Sequence, residues 1–163
     1  MTPARASAGP PAAAAGEPAV SHRLHASCVQ IDDDAAVVLR GASGSGKSDL
    51  CLRLIDAGGR LVADDQVLLE RAGDGRVLAS PPAALAGLLE VRGVGVLRLP
   101  HVAPSRVRLV VDLCPRDDVV RLPEPDDSRC ELLGVRLPRL GLDPFAASAC
   151  AKIGIALRAE RVH

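Results

Sequence analysis

Eight consecutive residues carry the clearest chemistry in this chain. Gly41-Ala42-Ser43-Gly44-Ser45-Gly46-Lys47-Ser48 fits the spacing G-x-x-x-x-G-K-[ST]. Glycines let a backbone curl until successive N–H groups point at one anion. A helix starting at the end of such a loop adds the positive end of its dipole. Lys47 would reach the β- and γ-phosphates of a nucleotide, and Ser48 would offer its hydroxyl to Mg²⁺. An apolar segment precedes the loop and an amphipathic one follows, which is the context a phosphate-binding loop requires.

Three further groups could act on a phosphate held there. Asp64-Asp65 falls where a strand should end, the position of a metal-linked acid in P-loop proteins; strand neighbours point to opposite faces, so one of the two should face the γ-phosphate directly. Glu90 and Arg92 bracket a run with alternating glycines, Glu90-Val91-Arg92-Gly93-Val94-Gly95-Val96. A carboxylate there could bind Mg²⁺, and a guanidinium could neutralise charge on a transferring phosphoryl group. The plain alternative is a solvated turn at the first site and a strand-edge ion pair at the second. His25 lies before the first strand, and a lone histidine is more often structural than catalytic. His22, His101 and His163 have no neighbours that single them out.

The elements that must position these groups can be read from periodicity. Cys28 to Ile31 and Ala36 to Leu39 are two short strands joined by the turn Asp32-Asp33-Asp34. A helix runs from Lys47 to about Ala57, with Leu50, Leu54 and Cys51, Ile55 at i, i+4 spacing and an Asp49–Arg53 pair on its outer side. Gly58-Gly59 stops it. Arg60 to Ala63 is a strand that runs into the acidic pair. Val67 to Glu70 and Arg76 to Ala79 flank Gly73-Asp74-Gly75, a hairpin signal. Leu85 to Leu89 is apolar without a deciding period, and Glu90 to Val96 reads as one strand, where glycine marks close backbone approach. Val107 to Leu113 is a strand, and residues 114–128 form a Pro- and Asp-rich loop. Asp143-Pro144 caps a last helix, up to about Arg161, with Phe145, Ala149, Ile153 and Leu157 along one face.

Composition limits the alternatives. The chain has 163 residues, enough for one domain with its own core. Residues 1–20, mostly Ala, Pro and Gly, read as a disordered tail, leaving 21–163 as the domain. The formal net charge is zero with no basic tract, so the footprint of a nucleic-acid binder is missing. Only two of the 20 basic residues are lysines, Lys47 and Lys152. Phe145 is the single aromatic, so the core is aliphatic and stacking on bases is not expected to drive recognition. Five widely spaced cysteines without a C-x-x-C pair form neither a disulfide framework nor a zinc site; Cys51 and Cys150 read as small buried hydrophobes. No apolar run reaches the roughly 18–20 residues that cross a bilayer, and there is no signal peptide. A cytoplasmic α/β protein with a mixed, mostly β sheet around the loop is expected.

Four stretches taken together resemble the C-terminal catalytic domain of HPr kinase/phosphorylase. They are His25-Ala26-Ser27-Cys28-Val29-Gln30, the loop itself, Arg60-Leu61-Val62-Ala63-Asp64-Asp65-Gln66-Val67, and Glu90 to Val96. The resemblance covers about residues 22–112. It implies ATP- and Mg²⁺-dependent phosphorylation of a serine of the phosphocarrier protein HPr, in the service of the phosphotransferase system, with phosphorolysis as the reverse step. It further implies Asp64 as catalytic acid/base, Asp65 as its partner tied to His25 or the metal, and residues 41–48 as the nucleotide cradle. Ser48 and Glu90 would stand on the metal side, with Arg92 as the arginine of the signature strand. A homo-oligomer, a hexamer in the family, is implied as well. No separate N-terminal domain is seen, as in the short form of some alphaproteobacteria. Arg136-Leu137-Pro138-Arg139 is the closest stretch to the family's arginine- and proline-rich loop, and the distal helices of the family are shortened. Two competing functions stand beside this one: a nucleotide-sensing module without phosphotransfer, and a small-molecule kinase or plain NTPase on the same scaffold.

Overall fold

A computed structural model describes residues 21–162; the expected tail at 1–20 and His163 lie outside them. In chain order the elements are β1 (Ser21–Asp32), β2 (Ala35–Arg40), α1 (Lys47–Asp56), β3 (Arg60–Ala63), β4 (Gln66–Arg71), β5 (Val77–Ser80), β6 (Leu88–Val91), β7 (Gly95–Arg98), β8 (Ser105–Leu113), β9 (Arg129–Leu132), β10 (Val135–Leu142) and α2 (Ala149–Arg158). The fold is mixed α/β and mostly β sheet.

β1 is long enough to serve two layers. Its first half, Ser21 to His25, pairs antiparallel with β4, which continues to β5. Its second half pairs with β2 on one side and β3 on the other. β2 then runs parallel to β8, and β8 parallel to β10. β8 also reaches β5, so the two layers are joined at both β1 and β8.

This layering follows from side-chain alternation. Ala26, Cys28, Ala36, Val38, Val67 and Leu69 face the space between the layers. Val29, Val37, Leu39, Leu109 and Val111 face the other way, against Leu50, Cys51 and Leu54 of α1 and Ala149 and Ile153 of α2. Residues 36–39 are therefore fully buried on both faces, which is why they read as an unbroken apolar run. Burial pushes the thiols of Cys28 and Cys51 up, so they stay neutral and pack as small hydrophobes. Cys150 is only partly buried against the helix layer.

α1 ends as expected. Gly58 takes a left-handed φ of 106°, and Gly59 N–H donates to the Leu54 carbonyl at 2.9 Å. A Cβ at Gly59 would stand 2.8 Å from a Val29 methyl, so the chain needs glycine there for contact as well as for turning. The expected pair Asp49–Arg53 is present at 3.0 Å.

Three expectations are corrected. Glu90 to Val96 is not one strand: it folds as the hairpin β6–β7, separate from the main sheet, turning at Arg92-Gly93-Val94 with Val94 N–H on the Val91 carbonyl. Gly93 and Gly95 carry the positive φ values of 84° and 120° that this turn needs. Second, the last helix starts at Ala149 and ends at Arg158. Asp143 forms a local turn instead, its carboxylate accepting from Phe145 N–H at 3.0 Å, and Phe145 lies off the helix. Third, the stretch Arg136 to Arg139, expected to correspond to a loop, lies in the hairpin β9–β10.

Arg136 and Pro138 sit in β10, and Arg139 points at Asp112 of β8 rather than standing in a loop. Asp112 also takes both guanidinium nitrogens of Arg40, at 2.7 and 2.9 Å. Arg40 is the last residue of β2, so this ion triad ties three parallel strands at the end from which the loop departs. Burial alone would raise the Asp112 carboxyl, but the hydrogen bonds and charges of Arg40 and Arg139 outweigh it and hold the group below the ordinary carboxylate range.

A depressed carboxylate stabilises the fold above its unfolded value of about 3.9, and the contribution is lost as pH falls through the lower folded value. Asp112→Ala is expected to lower stability at pH 7 by about 1–3 kcal/mol, since it leaves two half-buried guanidinium groups without their shared carboxylate. Urea unfolding midpoints at pH 7 and pH 3 check this: the gap between wild type and variant should shrink at the lower pH.

Candidate active site

The loop joins β2 to α1 at the end of the parallel strands. Gly44 and Gly46 take φ values of 78° and 95°, open only to glycine without strain. Ser45 N–H closes a turn onto the Ala42 carbonyl at 3.0 Å, and Leu50 N–H begins the helix on the Gly46 carbonyl. Gly41 has no room for a Cβ, which would stand 2.5 Å from Ser45 Oγ. That hydroxyl is itself buried without a partner among the described residues. The Lys47 ammonium spans the loop, donating to the carbonyls of Gly41 at 2.7 Å and Ala42 at 2.8 Å. Burial lowers it from the ordinary lysine value, while the charges of Asp64 and Asp65 act in the opposite direction.

Asp64 is the junction of the site. Its carboxylate is buried and accepts from Ser27 Oγ at 2.6 Å and from Ser48 Oγ at 3.0 and 3.1 Å. The backbone N–H of Glu90 approaches the same group at 3.5 Å. Glu90 thus meets the junction through its amide, while its side chain is exposed on β6.

Asp65 follows in an unusual backbone conformation, φ 66°, with Gln66 N–H donating to the Asp64 carbonyl at 2.8 Å. This tight turn breaks the strand alternation. Both carboxylates consequently line one cavity, where an extended chain would have presented one. Asp65 is well exposed, and its Oδ1 stands 3.4 Å from His25 Nδ1.

The open cavity, of about 530 Å³, is lined by His25, Ser43, Gly44, Gly46, Lys47, Ser48, Asp64, Asp65, Glu90 and Arg92 among the singled-out residues. Gly41 and Ala42 serve it through their carbonyls on Lys47. Sequence reasoning missed Ser27 and Phe145, which line it too. Ser27 was findable: it lies two residues after His25 on β1, hence on the same face. Phe145, expected on the face of the last helix, stands instead against the loop.

The residue set suits a nucleotide phosphate with Mg²⁺. That ion prefers one or two carboxylates plus substrate phosphates to an all-protein cage. Ser48 and Asp64, already in mutual contact, offer one hydroxyl and one carboxylate beside the loop. Among the described residues no group of three or more His, Cys, Asp or Glu forms a cage of its own. No described helix is long and apolar enough to cross a membrane.

Removing the Ser27 hydroxyl should leave the buried Asp64 carboxylate short of a donor. Ser27→Ala is expected to cost about 1–2 kcal/mol, read as a lower urea midpoint with an unchanged slope. No change in midpoint would mean that Ser48 and the Glu90 amide suffice.

Comparison with known proteins gives a consistent picture. Residues 17–143 match the family described as HPr Serine kinase C-terminal domain. The chain is similar to an HPr kinase/phosphorylase of Geobacillus thermodenitrificans, 35% identical over 117 residues, covering 64% of this chain and 37% of the relative. It is similar to the HPr kinase/phosphorylase of Bordetella pertussis, 37% identical over 120 residues, covering 68% of this chain and 39% of the relative. The chain therefore spans under two fifths of these relatives' length. Its fold is similar to that of the Hpr(Ser) kinase/phosphatase from Coxiella burnetii, with a TM-score of 0.68, 25% identity, and coverage of 83% of this chain and 86% of that one.

Proposed function

The chain belongs to the HPr serine kinase C-terminal domain family, and on that premise we propose that it transfers the γ-phosphoryl group of ATP to a serine of the carrier protein HPr, with phosphorolysis as the reverse reaction. The observation that carries this reading is the Ser48–Asp64 contact, which places a metal-side hydroxyl and carboxylate together at the phosphate loop, with a second carboxylate opening onto the same cavity. The protein would work in the cytoplasm, where its substrates are.

Phosphoryl transfer depends mainly on positioning and charge neutralisation. Lys47 and the loop amides bind the β- and γ-phosphates. Ser48 and Asp64 would hold the divalent ion, which would supply charge neutralisation at the transferring group. Arg92 and Glu90, exposed on the β6–β7 hairpin, reach the cavity from the side, the guanidinium suited to the transferring phosphoryl and the carboxylate to the metal side.

The two aspartates divide the remaining work. Both oxygens of Asp64 are taken by hydroxyl donors, so we assign it to the metal. Asp65, exposed and beside His25, is the better placed proton acceptor, which exchanges the roles that the family resemblance implied. The substrate serine hydroxyl gives its proton to Asp65 as its oxygen bonds to the γ-phosphorus; the bond from that phosphorus to the β-phosphate oxygen breaks, and ADP leaves. His25 orients Asp65. In phosphorolysis an oxygen of inorganic phosphate bonds to the phosphoserine phosphorus, the bond from that phosphorus to the serine oxygen breaks, pyrophosphate leaves, and Asp65 returns the proton to the serine oxygen.

The test is intact-mass measurement of HPr after incubation with the protein, ATP and Mg²⁺. A single phosphate addition is expected, absent with Lys47→Ala. Asp65→Asn should lose transfer by about 10²-fold or more while Mg²⁺-dependent ATP binding persists. Asp64→Asn should weaken that binding. The reverse pattern would return the proton to Asp64. ATP bound without added mass would favour the nucleotide-sensing reading, and ATP turnover without HPr a small-molecule kinase or NTPase.

A further inference from the structure

Phe145 is the single aromatic residue of the chain, yet it is 70% exposed. Its ring is not loose on the surface. A Cβ on Gly46 would stand 3.0 Å from Phe145 Cζ and 3.3 Å from Pro144 Cγ, so the ring edge and the neighbouring proline lie directly on the last glycine of the loop. The backbone beneath is fastened twice. Phe145 N–H donates to the Asp143 carboxylate at 3.0 Å. The Pro144 carbonyl accepts from Arg53, which is in turn paired with Asp49 at 3.0 Å. The turn is thus clamped to the first turns of α1, and Phe145 lines the same cavity as Lys47 and Ser48.

We propose that Phe145 is the platform on which the base of the bound nucleoside triphosphate stacks. This rests on the nucleotide-binding reading given above, reverses the expectation from composition that stacking on bases does not drive recognition, and adds the contact that separates a nucleotide from a bare polyphosphate. A triphosphate held by Lys47 and the loop amides leaves its ribose and base to continue past the start of α1. The acidic pair and His25 reach the cavity from β1 and the β3–β4 turn, whereas Phe145 reaches it from the β10–α2 connection, with Asp49 and Leu52 of α1 beside it. An exposed aromatic face fixed at that border offers stacking and no hydrogen bond. Every base has a π-face, so the platform tolerates different bases. ATP and GTP should therefore bind alike.

The experiment is titration calorimetry on the full chain with ATP, GTP and inorganic tripolyphosphate, each with Mg²⁺. Phe145→Ala is expected to weaken ATP and GTP about tenfold, and to leave tripolyphosphate affinity unchanged, which also serves as the control for folding. The protein has no Trp or Tyr. Phe145→Trp would therefore report alone: ATP should quench its fluorescence and tripolyphosphate should not. Equal loss for nucleotide and tripolyphosphate in Phe145→Ala, or no loss for either, would overturn the platform while leaving the nucleotide site intact if Lys47→Ala still abolishes binding. A wild-type protein that binds tripolyphosphate as tightly as ATP would overturn the platform as well. Failure of the wild type to bind any of the three ligands would overturn the nucleotide-binding reading itself.

Discussion

The carboxylate of Asp64 is the point on which the arrangement of this molecule turns. Four segments meet at it: β1 through Ser27, α1 through Ser48, the β3–β4 turn through Asp64 itself, and β6 through the Glu90 amide. A buried carboxylate is costly unless its oxygens find donors. Here the donors are mainly hydroxyls, supplied by elements that otherwise belong to different layers. Satisfying one group thereby fixes where the phosphate loop's helix stands relative to the sheet and where the β6–β7 hairpin sits over the cavity. The nearest cation, Lys47, is engaged with the loop's own carbonyls at 2.7 and 2.8 Å. The junction is therefore held by oriented dipoles rather than by an ion pair with Lys47.

An aliphatic core is what allows this precision without aromatic bulk. β2 and the Leu109-Val110-Val111 centre of β8 are buried on both faces, so their side chains must be small and branched enough to fill two layers at once. Val37 and Val38 serve opposite sides of the same strand. Polar needs are moved to strand ends, where Asp112 collects Arg40 and Arg139. The loop leaves β2 immediately after Arg40, so the triad anchors the backbone just upstream of Gly41 while the Asp64 junction anchors it downstream through Ser48. The Gly41–Ser48 loop is suspended between these two polar clamps, and its glycines supply the curvature in between.

The parts of this organisation that the sequence disclosed are the local ones. The run β2, loop, α1 and β3 was legible because apolar alternation, glycine spacing and helix period change sharply at Gly41, Gly58 and Asp64. The hairpin at Glu90–Val96 was legible as a motif but not as a turn: the alternating glycines that suggested close strand contact are the positive-φ residues of the β6–β7 reversal. β9 and β10 were hidden by Pro138 and by charges that point along their edges, since Arg139 looks like a loop arginine until β8 supplies Asp112. Phe145 deceived through spacing. Its i+4 relation to Ala149 fits a helix, but the Asp143 side chain takes Phe145 N–H, and that local bond competes with the helix start.

The acidic pair shows how a local backbone departure changes what two adjacent residues can do together. In an extended chain one carboxylate of a neighbouring pair faces a site and the other faces away. A left-handed residue at the second position, outside glycine, costs of order 1–3 kcal/mol and persists only where surroundings enforce it. Here Ala26 N–H holds the Asp65 carbonyl at 3.2 Å, and Gln66 N–H holds that of Asp64. The turn thereby lets one carboxylate be buried among donors and the other stand open beside His25, at the same cavity. Two chemically identical side chains acquire different environments from one backbone angle. Replacing Asp65 with glycine would relieve the strain and keep the turn, whereas a β-branched residue would oppose it. The identity of this residue is thus a compromise in which backbone comfort yields to having a second carboxylate at the cavity beside the Gly41–Ser48 loop.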